Sequence, residues 1–166
     1  MMNRPPTTYT VRARLTSPGR AQAEAEAGTE TISFDARWGA EPTGLPGPAD
    51  LLAAAFAACL LKNLARAREF LSFRYDQAEV TVTARRQDAP PKFTEIAYEL
   101  RLVTSEPQRR LDLLHRNLRA FGTVYNTLAA VCDVHGTITA THPAAPTPGS
   151  PDTEHHGQDA GQEGWS

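Results

Sequence analysis

Hydrophobic and polar positions alternate cleanly over residues 9–16. Tyr9, Val11, Ala13 and Leu15 fall on one face, and Thr10, Arg12, Arg14 and Thr16 on the other. A period of two predicts a half-buried strand. Ser17-Pro18-Gly19 is a turn signal, after which residues 20–27 alternate small apolar with polar side chains. Residues 29–37 (TETISFDAR) read as a third strand, completing an N-terminal antiparallel meander. A linker over 38–47 then leads into the unbroken apolar run LLAAAFAACLL at 51–61, introduced by the turn-like GLPGPAD. These 11 apolar residues fall short of the roughly 18 to 20 that cross a bilayer. A helix apolar on every side is instead expected to be buried in protein. Pro48 suits its first turn and Asp50 the positive end of its dipole, while Arg66 and Arg68 suit the other end, near Phe70.

Alternation returns over 78–86, with Val80, Val82 and Ala84 inward, and over 93–104, with Ile96, Tyr98, Leu100 and Leu102 on one face. The two segments predict a hairpin across Asp88-Ala89-Pro90-Pro91. Ser105-Glu106-Pro107-Gln108 has the form of a capping box, opening a helix carried by Leu111, Leu114, Leu118 and Phe121. Gly122 interrupts, a helical pattern resumes over 123–130, and 131–140 reads as a last strand holding Cys132, Val134, Ile138 and Ala140 on its apolar face. The order βββ–α–ββ–α–α–β, without an internal repeat, predicts an α+β fold.

Composition narrows this picture. From Pro143 the chain is dense in Pro, Gly and polar residues, and it cannot bury enough surface to offset its ordering entropy. The expected organisation is one domain over 1–142 and a disordered tail over 143–166. A formal net charge of −2 provides no electrostatic case for nucleic-acid or membrane binding. The N-terminus lacks the apolar core of a secretory signal, and two cysteines without zinc spacing fit a reduced, cytoplasmic compartment. His115, in an exposed-looking helical stretch, His135, in a strand, and the His155–His156 pair do not assemble a ligand set, so neither a metal nor a cofactor is expected.

Pro48-Ala49-Asp50-Leu51-Leu52, followed by AAAFAAC ending at Cys59, resembles the proline–acid–leucine start of the cysteine helix in the OsmC/Ohr family of small bacterial thiol peroxidases. Phe34-Asp35-Ala36-Arg37-Trp38 resembles the strand end that carries that family's active-site arginine. The similarity runs from about Thr29 to Ala140. It implies an intertwined homodimer, with antiparallel sheets wrapped around the buried cysteine helices and active sites at the interface. It also implies a reaction in which the cysteine thiolate attacks an organic hydroperoxide, becomes a sulfenic acid and is resolved by a second cysteine. In the family that second cysteine begins a segment of the form C-P-x-S-x-x-L. Here Gly122 stands at the matching place, in Gly122-Thr123-Val124-Tyr125-Asn126-Thr127-Leu128. Some members carry a glutamate directly after the proline, paired with the arginine; this chain has Ala49 there, and Asp50 matches another branch.

On a helix, Cys59 shares its face with Leu52, Ala55 and Phe56 before it, and with Lys62, Asn63 and Arg66 after it. Taken alone, Cys59 reads either as a nucleophile or as a small buried hydrophobe, since burial raises a thiol pKa and the middle of a helix lends little dipole. A reactive Cys59 needs a cation. The resemblance points to Arg37, held by Asp50, with Lys62 and Arg66 as substitutes. Phe56, Tyr125 and Asn126 are the expected pocket residues. Cys132 reads as core packing rather than as a replacement resolving sulfur. The expected activity is reduction of organic hydroperoxides by Cys59, with an external thiol resolving. The alternative is a non-catalytic protein that holds a small apolar ligand in the same pocket.

Overall fold

The computed structural model describes residues 7–15, 22–38 and 43–143. The tail expected over 143–166, with His155–His156, lies outside the described residues except for Pro143. Nine elements follow the predicted order: β1 (Arg12–Arg14), β2 (Gln22–Ala27), β3 (Glu30–Asp35), α1 (Pro48–Phe70), β4 (Gln77–Asp88), β5 (Pro91–Val103), α2 (Gln108–Phe121), α3 (Thr123–Ala129) and β6 (Asp133–Thr141). The α+β fold class is as expected.

The strands form two three-stranded sheets, ordered β1-β2-β3 and β4-β5-β6. In the first, antiparallel register places Ala13 beside Ala25, Ala25 beside Ile32 and Ala23 beside Phe34, so the apolar residues share one face. The strand expected over 9–16 shortens to the three residues of β1. Its apolar face is not half-buried within one chain: Val11 is 60%, Leu15 48% and Ile32 40% exposed. The reason is that, among the described residues, this sheet packs on itself and makes no more than marginal contact with any other element.

The second sheet builds the core. β4 and β5 form the predicted hairpin, in register from Gln77↔Val103 to Asp88↔Pro91. β6 lies parallel to β5, because α2 and α3 form the crossover that returns the chain to the same end of the sheet. Ile96, Tyr98, Leu100 and Leu102 point inward against Phe56, Leu60 and Leu64 of α1 and Leu111, Leu114 and Leu118 of α2. The opposite face is polar, with exposed pairs such as Arg85–Glu95 and Arg101–Glu99. Gly136 of β6 sits beneath Tyr98, where any Cβ would collide with the ring and its backbone.

α1 starts as its sequence predicts, with Pro48 in the first turn and the Asp50 carboxylate accepting the Gly47 N–H at 2.8 Å. It continues well past the apolar run, to 23 residues, with a mean hydropathy of 1.4 in its most apolar 18-residue window. By length and composition alone that is enough to cross a membrane, which the run of 11 residues did not suggest. One face, Phe56, Leu60, Leu64 and Ala67, is buried under β4, α2 and α3. The other side is not covered by the described residues: Ala54, Ala55 and Ala58 are exposed, and Leu61 is 39% exposed.

α2 does not use the predicted capping box. Its N-cap is Pro107 and no side chain caps it. Gln108, the expected partner of Ser105, donates instead to Asp112 Oδ1 at 3.0 Å. Glu106 accepts the Arg74 N–H at 2.9 Å and a bond from Arg110 Nε at 3.0 Å. Arg110 in turn donates to the Leu71 carbonyl at 2.7 Å, so a buried-edge ion pair ties the end of α1 to the start of α2.

Candidate active site

Cys59 lies in the fourth turn of α1, half-buried, where the apolar stretch gives way to Lys62, Asn63 and Arg66. One turn on, Asn63 donates its amide to the Cys59 carbonyl at 2.9 Å and stands 3.6 Å from the sulfur. The α2–α3 junction approaches from the other side. A Cβ built on Gly122 would lie 3.7 Å from Cys59 Sγ, but also 2.8 Å from the Leu118 carbonyl and 2.8 Å from Tyr125 Cβ. The position opposite the sulfur is therefore closed to any side chain unless the backbone shifts.

Beneath Cys59 is an aromatic group. Phe56 stacks on Tyr125 with centroids 6.0 Å apart and meets Tyr98 edge-on at 5.8 Å. The Tyr125 hydroxyl donates to the Val134 carbonyl at 3.2 Å. Phe56 and Tyr125 are thus core residues in contact with one another, while Asn126 is exposed on α3 and donates to the Ala120 carbonyl at 3.3 Å. His115 is half-buried rather than exposed, with Nε2 2.7 Å from the Tyr98 hydroxyl. Burial, aided by the Arg119 charge, lowers the His115 pKa, and burial pushes Tyr98 up to about 12.

Arg37 is on the connection between β3 and α1, exposed, with its N–H donating to Asp35 Oδ1 at 2.8 Å. That bond, with further help from Thr43 and the Arg37 charge, holds the Asp35 carboxyl below its usual range. Asp35 N donates to the Pro46 carbonyl at 3.0 Å, which fastens the end of β3 beside the start of α1. Asp50 serves as the α1 cap described above. Of the substitute cations, Arg66 stacks over the Phe121 ring at 4.2 Å and over Phe70 at 5.2 Å, and Lys62 is exposed.

Cys132 departs from its predicted place. β6 begins at Asp133, two residues later than expected, and Cys132 sits in the turn after α3, its thiol donating to the Leu128 carbonyl at 3.3 Å and its N–H to the same oxygen at 3.0 Å. It still packs on the core, and burial, with Asp133 nearby, raises its pKa. Both cysteines are free. Among the described residues, no group of His, Cys, Asp or Glu is arranged to hold a metal ion. Cavities of about 260 Å³, lined in part by Gln77, Val103 and Thr141, and about 500 Å³, along 68–76, are not lined by Cys59.

Asn63 and the contact of Gly122 with the sulfur were not assigned roles in the sequence. The first was visible as a residue four positions after Cys59; the second is a long-range contact with no local signal, indicated only by the resemblance that set Gly122 at the place of the second cysteine.

A family model described as OsmC-like protein matches residues 41–135, more than half of the chain. The chain belongs to the OsmC-like family. Solved structures agree in fold. An OsmC-like protein from Mycoplasma pneumoniae superposes with a TM-score of 0.73 at 19% identity, over 82% of this chain and 99% of that one. An organic hydroperoxide resistance protein OsmC from Legionella pneumophila gives 0.64 at 17% identity, over 80% and 97%. The organic hydroperoxide resistance protein OhrB of Bacillus subtilis gives 0.58 at 17%, over 80% and 98%. A search of curated proteins finds no match. This OsmC-like chain thus has the expected fold around its cysteine helix, with a glycine backbone facing the sulfur.

Proposed function

We propose that this OsmC-like protein is a cytoplasmic homodimer that reduces organic hydroperoxides through Cys59, with an external thiol in place of a second cysteine. The observation that carries the reading is the placement of the Cys59 sulfur, half-buried at the basic end of the apolar run, with an amide donor on one side and Gly122 on the other. Membership of a family whose structural relatives include proteins named for organic hydroperoxide resistance supports it.

In this scheme the Cys59 thiolate attacks the terminal oxygen of the hydroperoxide. An S–O bond forms, the O–O bond breaks, and the departing alkoxide takes a proton from water to become the alcohol. Cys59, oxidised by two electrons, is left as sulfenic acid. One external thiol condenses with it, releasing water and leaving a mixed disulfide. A second thiol attacks that disulfide, leaves as the oxidised thiol pair and restores Cys59. Arg37 is the cation this scheme needs, brought to the site when the N-terminal sheet packs in the dimer, and Asp50 fixes the helix start beside it.

Consumption of an alkyl hydroperoxide driven by a small dithiol tests the proposal. The wild type should turn over, Cys59→Ser should be inactive, and Cys132→Ala should keep its rate. Equal consumption by wild type and Cys59→Ser would sink the peroxidase reading and favour a pocket that binds a small apolar ligand without chemistry.

A further inference from the structure

An asparagine in mid-helix is locally unfavourable beside the alanine, leucine and arginine that surround it in α1. Asn63 is half-buried there, and its side chain turns back on Cys59. The orientation of its amide follows from the chemistry: the Cys59 carbonyl only accepts, so the nitrogen must face it. An NH2 group has two hydrogens. One serves the carbonyl at 2.9 Å, and the nitrogen lies 3.6 Å from Sγ, so the second is available to the sulfur.

The other approach to the sulfur offers no rival side chain, because Gly122 has none and could not carry one without moving the Leu118 carbonyl or Tyr125. Arg66 is drawn off onto the Phe121 ring. Among the described residues, Asn63 is the side chain recorded in hydrogen-bonding range of Cys59 Sγ. A hydrogen bond from a neutral amide is worth more to a charged acceptor than to a neutral one, and more where water is partly excluded.

We infer that Asn63 is a positioning residue that holds the Cys59 sulfur and favours its thiolate over its thiol. The inference rests on the reading of Cys59 as the nucleophile, but its test reads protonation and not turnover.

The test follows Cys59 alkylation by iodoacetamide against pH in a Cys132→Ala background, so that one thiol reports. Asn63→Leu, which keeps the branched shape at a larger volume and removes the donor, should move the pH midpoint upward by roughly half to one unit. Slower alkylation at neutral pH should accompany it. The Asn63 side-chain NH2 resonances of the full chain should also shift with the Cys59 midpoint and stay still in Cys59→Ser. A folded Asn63→Leu with the Cys132→Ala midpoint, or NH2 resonances that ignore the titration, would overturn the inference. If Asn63→Leu does not fold, the NMR titration decides alone. A shifted midpoint without hydroperoxide consumption would sustain the role of Asn63 and remove the peroxidase reading, so the two claims fail separately.

Discussion

Tyr98 joins the sheet to the layer beneath Cys59. Only 4% exposed, it contacts Phe56 and Tyr125 by its ring and His115 by its hydroxyl. Burial raises its pKa from 10 to about 12. A folded-state pKa above the unfolded one means the folded chain holds this proton more tightly, so the contribution is fully present below about pH 10 and is lost as pH rises toward about 12. Urea midpoints should therefore fall between pH values of about 9 and 11 by more in wild type than in Tyr98→Phe; equal falls would show that Tyr98 does not titrate as its burial dictates. The positions nearest the chemistry differ in how far they could be read in advance. Cys59 and Asn63 are related by helical spacing, so their shared face was visible in the chain. The approach of Gly122 had no local signal, since it depends on where the α2–α3 junction lands, more than 60 residues away, and only the family resemblance pointed to it. The space left by the missing sulfur does not exist as a gap: Leu118 and Tyr125 close it. Cys132 was assigned to the right core but to the wrong element, since alternation does not reveal that the Leu128 carbonyl captures both its N–H and its thiol.

α1 shows what an apolar run does and does not specify. Its start was legible from Pro48 and Asp50, and its end from the basic residues before Phe70, because those residues act on the helix locally. The β4–β5 hairpin was legible for the same reason. The parallel pairing of β6 was not, since period two assigns faces and not neighbours. The capping box at Ser105 failed because α2 starts two residues later, with Pro107 as its N-cap, and Gln108 turns to Asp112 instead. Burial of α1 on all sides was expected only with a partner chain, and the described residues of one chain cover one side. Leu61, 39% exposed, and the alanines beside it form an open apolar strip. A second copy covering that strip would form a core-like interface, for which obligate dimers use above roughly 2,000 Å². In sedimentation at low micromolar concentration the wild type should run as a dimer. Leu61→Asp, which places a charge on the strip, should shift it toward monomer while helix content is kept. A monomeric wild type would contradict the homodimer.

Among the described residues of one chain two apolar surfaces are uncovered, the strip on α1 and the face of the N-terminal sheet bearing Val11, Leu15 and Ile32. That sheet also leads to Arg37. In the proposed homodimer the packing that covers both surfaces would also bring Arg37 toward Cys59, which links assembly to chemistry. The proposed chemistry requires that the cysteine of α1 react as a thiolate in the assembled protein. Intact-mass spectrometry of the full chain, after brief exposure to one equivalent of an alkyl hydroperoxide at neutral pH, measures this directly, with peptide mapping after dimedone trapping to place the modification. The account predicts one added oxygen per chain, located on Cys59, trapped by dimedone and removed by a small thiol. It also predicts a rate about tenfold or more slower in Arg37→Ala, because loss of an opposite charge within reach shifts a thiol by about one unit or more. An unmodified Cys59, reacting no faster than free cysteine in both proteins, would contradict it.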